Sequence, residues 1–358
     1  MNRTCVIYSP RYLDHDTGTY HPESPSRLTR LLEELRRSNV FKEGVCELRE
    51  PRRALQEEIT LVHEKEYYMK VKKIADAGFG ALDPDTPVSK GSFEAAVMAA
   101  GGVLKACELI MAGEFKNGFA LVRPPGHHAG VRGRALGAPT AGFCIFNNVA
   151  VAAQSLLKHR SAQRVLVLDL DCHHGNGTQE IFNESEEVMY VSLHQDGKTL
   201  YPGTGSLNDI GVGEGEGYKI NIPLPPGSCD DVHLMAFEEI LVKISSQFKP
   251  DFILVSAGFD SHHEDPLTNM GVSIEGFRRM YLEALNMAEE LCQGRLVASL
   301  EGGYGVKFAS SAATAIRVLA GLPVKPVEEF KYSDPGIVEE VKSTLNALKN
   351  LLSSYWSL

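Results

Sequence analysis

Six of the chain's 12 histidines fall in three adjacent pairs, His127-His128, His173-His174 and His262-His263. Each pair sits in a polar cluster: Arg123-Pro-Pro-Gly-His-His, Asp169-Leu-Asp-Cys-His-His-Gly-Asn-Gly and Ser256-Ala-Gly-Phe-Asp-Ser-His-His. Asp169, Asp171 and His173 are two residues apart, so on extended backbone they share one face, with Leu170 and Cys172 on the other. Two carboxylates and an imidazole at a strand end make half of a divalent-metal site. Such a donor set suits Zn²⁺ or Fe²⁺, and a position left for water would make the site catalytic rather than structural. The third ligand should come from a neighbouring strand end. Asp260 is the candidate, with Gly258 before it permitting close backbone approach. An isolated D-x-H run is more often a loop carboxylate beside a satisfied polar histidine; the other clusters in the same chain favour the metal.

These clusters need a scaffold that brings them together. Short apolar runs predict strands at 4–8, 119–122, 164–170, 188–193, 218–222, 252–256 and 296–300. Helical patterns fall at 27–37, 93–112, 148–157, 230–246, 274–292 and 309–319. In the first helix Leu28, Leu31, Leu32 and Leu35 recur at helical spacing, with Pro25 and Ser26 suited to its start. Asp334-Pro335 reads as the cap and first position of a last helix. Continuous apolar strands alternating with helices imply a single α/β domain, a mainly parallel sheet covered on both faces. Ligands bind such sheets beyond the carboxyl ends of the strands, which is where the clusters lie. A fourth cluster, Glu301-Gly-Gly-Tyr304, follows another strand.

Composition narrows the function. The 358 residues are 43% hydrophobic and 23% charged, as expected of a globular chain. The net charge of -10 speaks against a broad nucleic-acid-binding surface. No apolar run is long enough to span a membrane. Seven dispersed cysteines without a C-x-x-C pair, and a start that turns polar quickly, fit reduced thiols in a cytoplasmic setting. A homo-oligomer stays open.

Four motifs occur in order: Arg123-Pro-Pro-Gly-His-His-Ala129, Asp169-Leu-Asp-Cys-His-His-Gly-Asn-Gly-Thr-Gln179, Ala257-Gly-Phe-Asp-Ser261 and Leu300-Glu-Gly-Gly-Tyr304. Together with His21-Pro-Glu-Ser-Pro-Ser-Arg27, Gly142-Phe-Cys-Ile-Phe-Asn147 and Tyr201-Pro-Gly-Thr-Gly205, they resemble the histone deacetylase superfamily. The resemblance is strongest to its class II and to bacterial or archaeal histone-deacetylase-like amidohydrolases, across about residues 5 to 320. It implies a catalytic unit over 1–325 with a helical extension, 326–358, packed on it.

The activity implied is hydrolysis of an acyl amide by metal-activated water. Asp171, His173 and Asp260 would hold Zn²⁺, with Fe²⁺ as the alternative. His128 would accept the water's proton and return it to the leaving amine, His127 would assist electrostatically, and Asp169 would orient His127. Asn176 takes the place that contacts His128, where class I relatives have Asp. Tyr304 would donate its phenol to the developing oxyanion. The resemblance further implies potassium at Asp169, Asp171 and Ser192 with the carbonyls of His173 and Leu193. A second potassium site would use carbonyls near Phe182, Ser185, Val188 and Tyr218. His174 reads as structural, and His262 and His263 as rim or solvated residues.

Gly142, Phe143 and Tyr201 match the narrow substrate tunnel of relatives, whose paired rings suit an acetyl-lysine-like chain. Asp85 lies near the place of a rim aspartate, or is a solvated loop acid. Leu267 stands where polyamine-selective relatives carry a glutamate. That favours acyl-lysine peptide or protein over a small acylated amine, although Glu264 and Asp265 could partly substitute. The stretch between His128 and Gly142 is longer than in many relatives. Its glycines 130, 133 and 137 with Arg132 and Arg134 suit a mobile lid selecting an acidic group, or equally a surface or subunit-contact loop. The readings that compete with the deacylase are an acetylpolyamine deacetylase on the same machinery, a catalytically silent acyl-lysine-binding scaffold and a two-metal ureohydrolase.

Overall fold

The computed structural model describes residues 3–325 and 327–358. Along the chain the elements are β1 (Thr4–Ile7), α1 (Ser26–Arg37), β2 (Cys46–Arg49), α2 (Gln56–Ile59), α3 (Lys65–Asp76), β3 (Phe79–Ala81), β4 (Pro87–Ser89) and α4 (Ser92–Met111). Then follow β5 (Asn117–Ala120), α5 (Asn148–Lys158), β6 (Val165–Asp169), α6 (Asn176–Phe182), β7 (Val188–Gln195), β8 (Lys219–Leu224), α7 (Asp230–Ala236) and α8 (Val242–Phe248). Last come β9 (Phe252–Ala257), α9 (Ile274–Cys292), β10 (Leu296–Leu300), α10 (Phe308–Leu319) and α11 (Pro335–Leu352).

Eight strands form one sheet in the order β2-β1-β5-β10-β9-β6-β7-β8, every pairing parallel. Residues on both faces of β6, β9 and β10 are buried, as expected where helices cover both sides. The fold is the single α/β domain anticipated. β3 and β4 make a separate antiparallel pair. Helix α11 seats Val341, Leu345, Leu348 and Leu352 in the core, while Asp334 makes no side-chain cap.

The strand order explains the site. β5, β10, β9 and β6 are consecutive neighbours, and each delivers one cluster just past its carboxyl end. Two readings need correction. β6 ends at Asp169, so Asp171 and His173 lie in the following bend and owe their common side to that bend, not to the pleat. The helix read over 230–246 is three segments, α7 and α8 separated by a π-helical turn at Phe237–Leu241.

A candidate metal-centred active site

Asp171, His173 and Asp260 present ligand atoms that all lie within 4.8 Å of one another. His173 Nδ1 is 3.2 Å from Asp171 Oδ1 and 2.9 Å from Asp260 Oδ2. Donor pairs on a tetrahedral zinc ion with bonds near 2.0 Å stand roughly 3.3 Å apart, so this spacing suits one ion. Backbone amides aim the carboxylates. Gly302 N donates to Asp171 Oδ2 at 2.8 Å, and Cys172 N donates to Asp260 Oδ1 at 2.8 Å. The approach depends on absent side chains: a Cβ on Gly258 would come within 2.2 Å of Asp171 Oδ2, and one on Gly302 within 2.4 Å of Asp260 Oδ2.

The charge balance of this trio calls for a cation. All three groups are buried deeply enough to penalise charge. Burial pushes Asp260 up, and the neighbouring Asp171 adds to it, to about 7. Burial opposes protonation of His173, yet Asp260 and Asp171 outweigh it and raise His173 to about 10. Two carboxylates thus hold a proton on the imidazole between them, and a divalent ion supplies the same positive charge while displacing that proton.

The neighbouring histidines are driven apart. His127 Nδ1 is 3.1 Å from Asp169 Oδ2, and its Nε2 is 3.8 Å from Asp171 Oδ1. Burial disfavours its charge, but Asp171 and Asp169 prevail and raise it to about 10. His128 is lowered well below the ordinary value, first by burial and then by the positive charge of His127 and His173. One imidazole is therefore charged and the other neutral, a division found where acid–base roles are split. His128 Nδ1 donates to Asn176 Oδ1 at 2.8 Å. The Asn176 amide is turned this way because its nitrogen donates to Ala135 O at 2.9 Å. An amide oxygen only accepts, so Nδ1 carries the proton and Nε2 keeps its lone pair.

Above the trio lies a cavity of about 260 Å³ lined by His127, His128, Gly142, Phe143, Tyr201, Leu267, Tyr304 and Asp85, among others. Gly142 has φ +52, and a Cβ there would stand 2.5 Å from His128 Cδ2. Phe143 meets Tyr304 edge-on at 5.8 Å, and Tyr201 meets His128 edge-on at 5.0 Å. The Tyr304 hydroxyl forms no hydrogen bond to another described residue, which leaves it free for a ligand. Asp85 spends both oxygens on hydroxyls, those of Thr86 and Thr140.

Several anchors had no signal in local spacing. Asp265 Oδ2 accepts from Tyr304 N and Gly305 N, and its Oδ1 from Leu267 N. It is thus committed to positioning Tyr304 and is not spare to meet a distal ammonium. Glu301 accepts from the amides of Gly126 and His127. Tyr190 donates to Asp169. The long stretch after His128 is tied down: Glu180 accepts from Val131 N and Leu136 N, Arg132 pairs with Glu64, and Tyr201 donates to Thr140 O. These ties anchor the stretch at several points, and Arg132 is already paired with Glu64.

His174 is spanned by Thr204 and Gln179. His262 is buried against Glu328 rather than solvated, while His263 is part-exposed. Asp169 and Ser192 are cross-strand partners. Ser192 donates to His194 Nδ1, and Leu193 follows it in β7. The carbonyls of Ser185 and Val188 accept from the Lys219 ammonium, whereas those of Phe182 and Tyr218 accept from the amides of Ser185 and Tyr190.

Known proteins resemble this chain in sequence and fold. A family model described as "Histone deacetylase domain" matches residues 21–319. A "Probable deacetylase" of Archaeoglobus fulgidus is 38% identical over 99% of this chain and 98% of its own length. A "Histone deacetylase-like amidohydrolase" of Pseudomonas aeruginosa is 38% identical over 83% of this chain and 76% of its own. The crystal structure of the HDA15 HD domain superposes with a TM-score of 0.87 at 37% identity, covering 99% of this chain and 96% of that one.

Proposed function

The chain belongs to the histone deacetylase family, and from that premise we propose that it is a zinc-dependent deacylase acting on acetylated lysine or a similar amine. The observation that carries this reading is the convergence of Asp171, His173 and Asp260 at the floor of a cavity walled by His128 and Tyr304. A divalent ion held there would lower the pKa of water and polarise a carbonyl. The protein's own groups do the rest. Neutral His128, its Nδ1 hydrogen held by Asn176, takes a proton at Nε2 and returns it to the departing amine. Charged His127 stabilises negative charge beside it. Tyr304 donates its phenol to the substrate oxygen as that oxygen gains charge. Phe143, Tyr201 and Gly142 confine the acyl-bearing chain.

Acyl-lysine is favoured over acetylpolyamine by Leu267 at the cavity wall and by the engagement of Asp265 with backbone amides. The intact set of His127, His128 and Tyr304 favours an enzyme over a silent scaffold. A potassium ion beside Asp169, Asp171 and Ser192 completes the reading, supported by the facing of Asp169 and Ser192 across β6 and β7. Turnover of an acetyl-lysine peptide and of N-acetylputrescine by zinc-loaded protein tests the substrate class. The peptide should be the better substrate; activity confined to N-acetylputrescine would overturn the preference, and no hydrolysis of either would favour the scaffold.

A further inference from the structure

Lys219 opens β8 with its side chain fully buried, at 0% exposure. Lysine in that position must satisfy three N–H donors without water, and burial alone pulls its pKa down to about 7. It makes no ion pair with a described residue. Instead Nζ donates to Ser185 O at 2.8 Å and to Val188 O at 2.7 Å, with the Tyr218 ring centroid 5.8 Å away. Carbonyl oxygens bind an ammonium more strongly than an amine, so they oppose the effect of burial.

The position of these carbonyls gives the contact its meaning. Ser185 lies three residues beyond the end of α6, where Phe182 O accepts from Ser185 N, and Val188 begins β7. Buried carbonyl oxygens must find a donor, and a cationic donor binds them strongly. Lys219 supplies that charge from β8, joining the end of α6 to two strands. The same four residues, Phe182, Ser185, Val188 and Tyr218, are those the family resemblance assigns to a second potassium ion. They do not fit a free ion here: two carbonyls already face a nitrogen cation, and a second buried cation beside it would be repelled.

We propose that the Lys219 ammonium stands in for the second monovalent cation, a covalently attached charge that fixes the α6–β7–β8 junction and makes this site independent of potassium. The proposal concerns cation binding and is independent of the reaction catalysed.

The test uses crystals of the full-length protein and of Lys219→Ala, soaked in rubidium chloride as an anomalously scattering substitute for potassium. The wild type should show no rubidium at the Ser185 and Val188 carbonyls. Lys219→Ala should show it there. In potassium-free buffer of constant ionic strength, Lys219→Ala should also melt lower and recover several degrees on adding potassium chloride. Lys219→Met, whose stem still fills the space, should recover much less. Rubidium coordinated by Ser185 and Val188 in the wild type would overturn the proposal, as would a Lys219→Ala protein that takes up no ion there. If Lys219→Ala does not fold, the wild-type crystals alone decide.

Discussion

Asn176 holds His128 with one end of its amide and the Ala135 carbonyl with the other, at 2.8 and 2.9 Å. The second contact fixes the first. Ala135 belongs to the stretch that Glu180 grips through Val131 and Leu136, and Glu180 sits one turn beyond Asn176 on α6. The 131–136 stretch and the tautomer of the base are therefore both held by one short helix.

A neutral amide leaves His128 low, as burial and the charge on His127 require. A carboxylate in its place would favour the imidazolium and raise the pKa by about one unit or more. Asn176→Asp should therefore move the acid limb of kcat/KM to higher pH relative to wild type. The sign follows from the base acting only when unprotonated. An unmoved limb would mean that Asn176 does not govern His128.

Tyr304 offers a phenol with no partner among the described residues, on backbone fixed by Asp265. Removing that hydroxyl should leave the melting temperature near wild type while lowering kcat at least tenfold, and as much as ~10²–10³ if it resembles other oxyanion donors. Steady-state kinetics of Tyr304→Phe measures this; a change in KM alone would assign the residue to binding instead.

His63 is buried and neutral, donating from Nδ1 to Gly130 O and accepting at Nε2 from Asn147 N. Burial lowers its pKa from 6.5 to about 4. As pH falls below 6.5 the unfolded chain takes the proton first, so stability is present above 6.5 and is lost down to about 4. One such group contributes a slope of ~1.4 kcal/mol per pH unit. Denaturant unfolding of His63→Gln between pH 4.5 and 6 should show a slope shallower than wild type by nearly that amount. Parallel slopes would show that His63 is protonated in the fold.

Much of this architecture was written in local pattern. β10 and α9 fall at the residues read from the sequence, because a five-residue apolar run and a nineteen-residue amphipathic one are each unambiguous. α3 and β2 were missed. α3 buries only Tyr67, Tyr68, Val71 and Ala75 among six charged residues, and β2 is a short edge strand with two charged residues. In the site, the motifs carry the groups that touch a ligand, since those must be particular residue types at strand ends. The supports are different. Asp265 beneath Tyr304, Glu180 across the 131–136 stretch and Lys219 on Ser185 act between distant segments, and only the folded chain brings them together.

The proposed deacylase requires Asp171, His173 and Asp260 to share one divalent ion. Metal content of the purified protein and of Asp260→Ala, measured together with acetyl-lysine hydrolysis, addresses it most directly. One divalent ion per wild-type chain, lost from Asp260→Ala along with activity, is the expected result. Full retention of the ion by Asp260→Ala, or two divalent ions in each active wild-type chain, would contradict it.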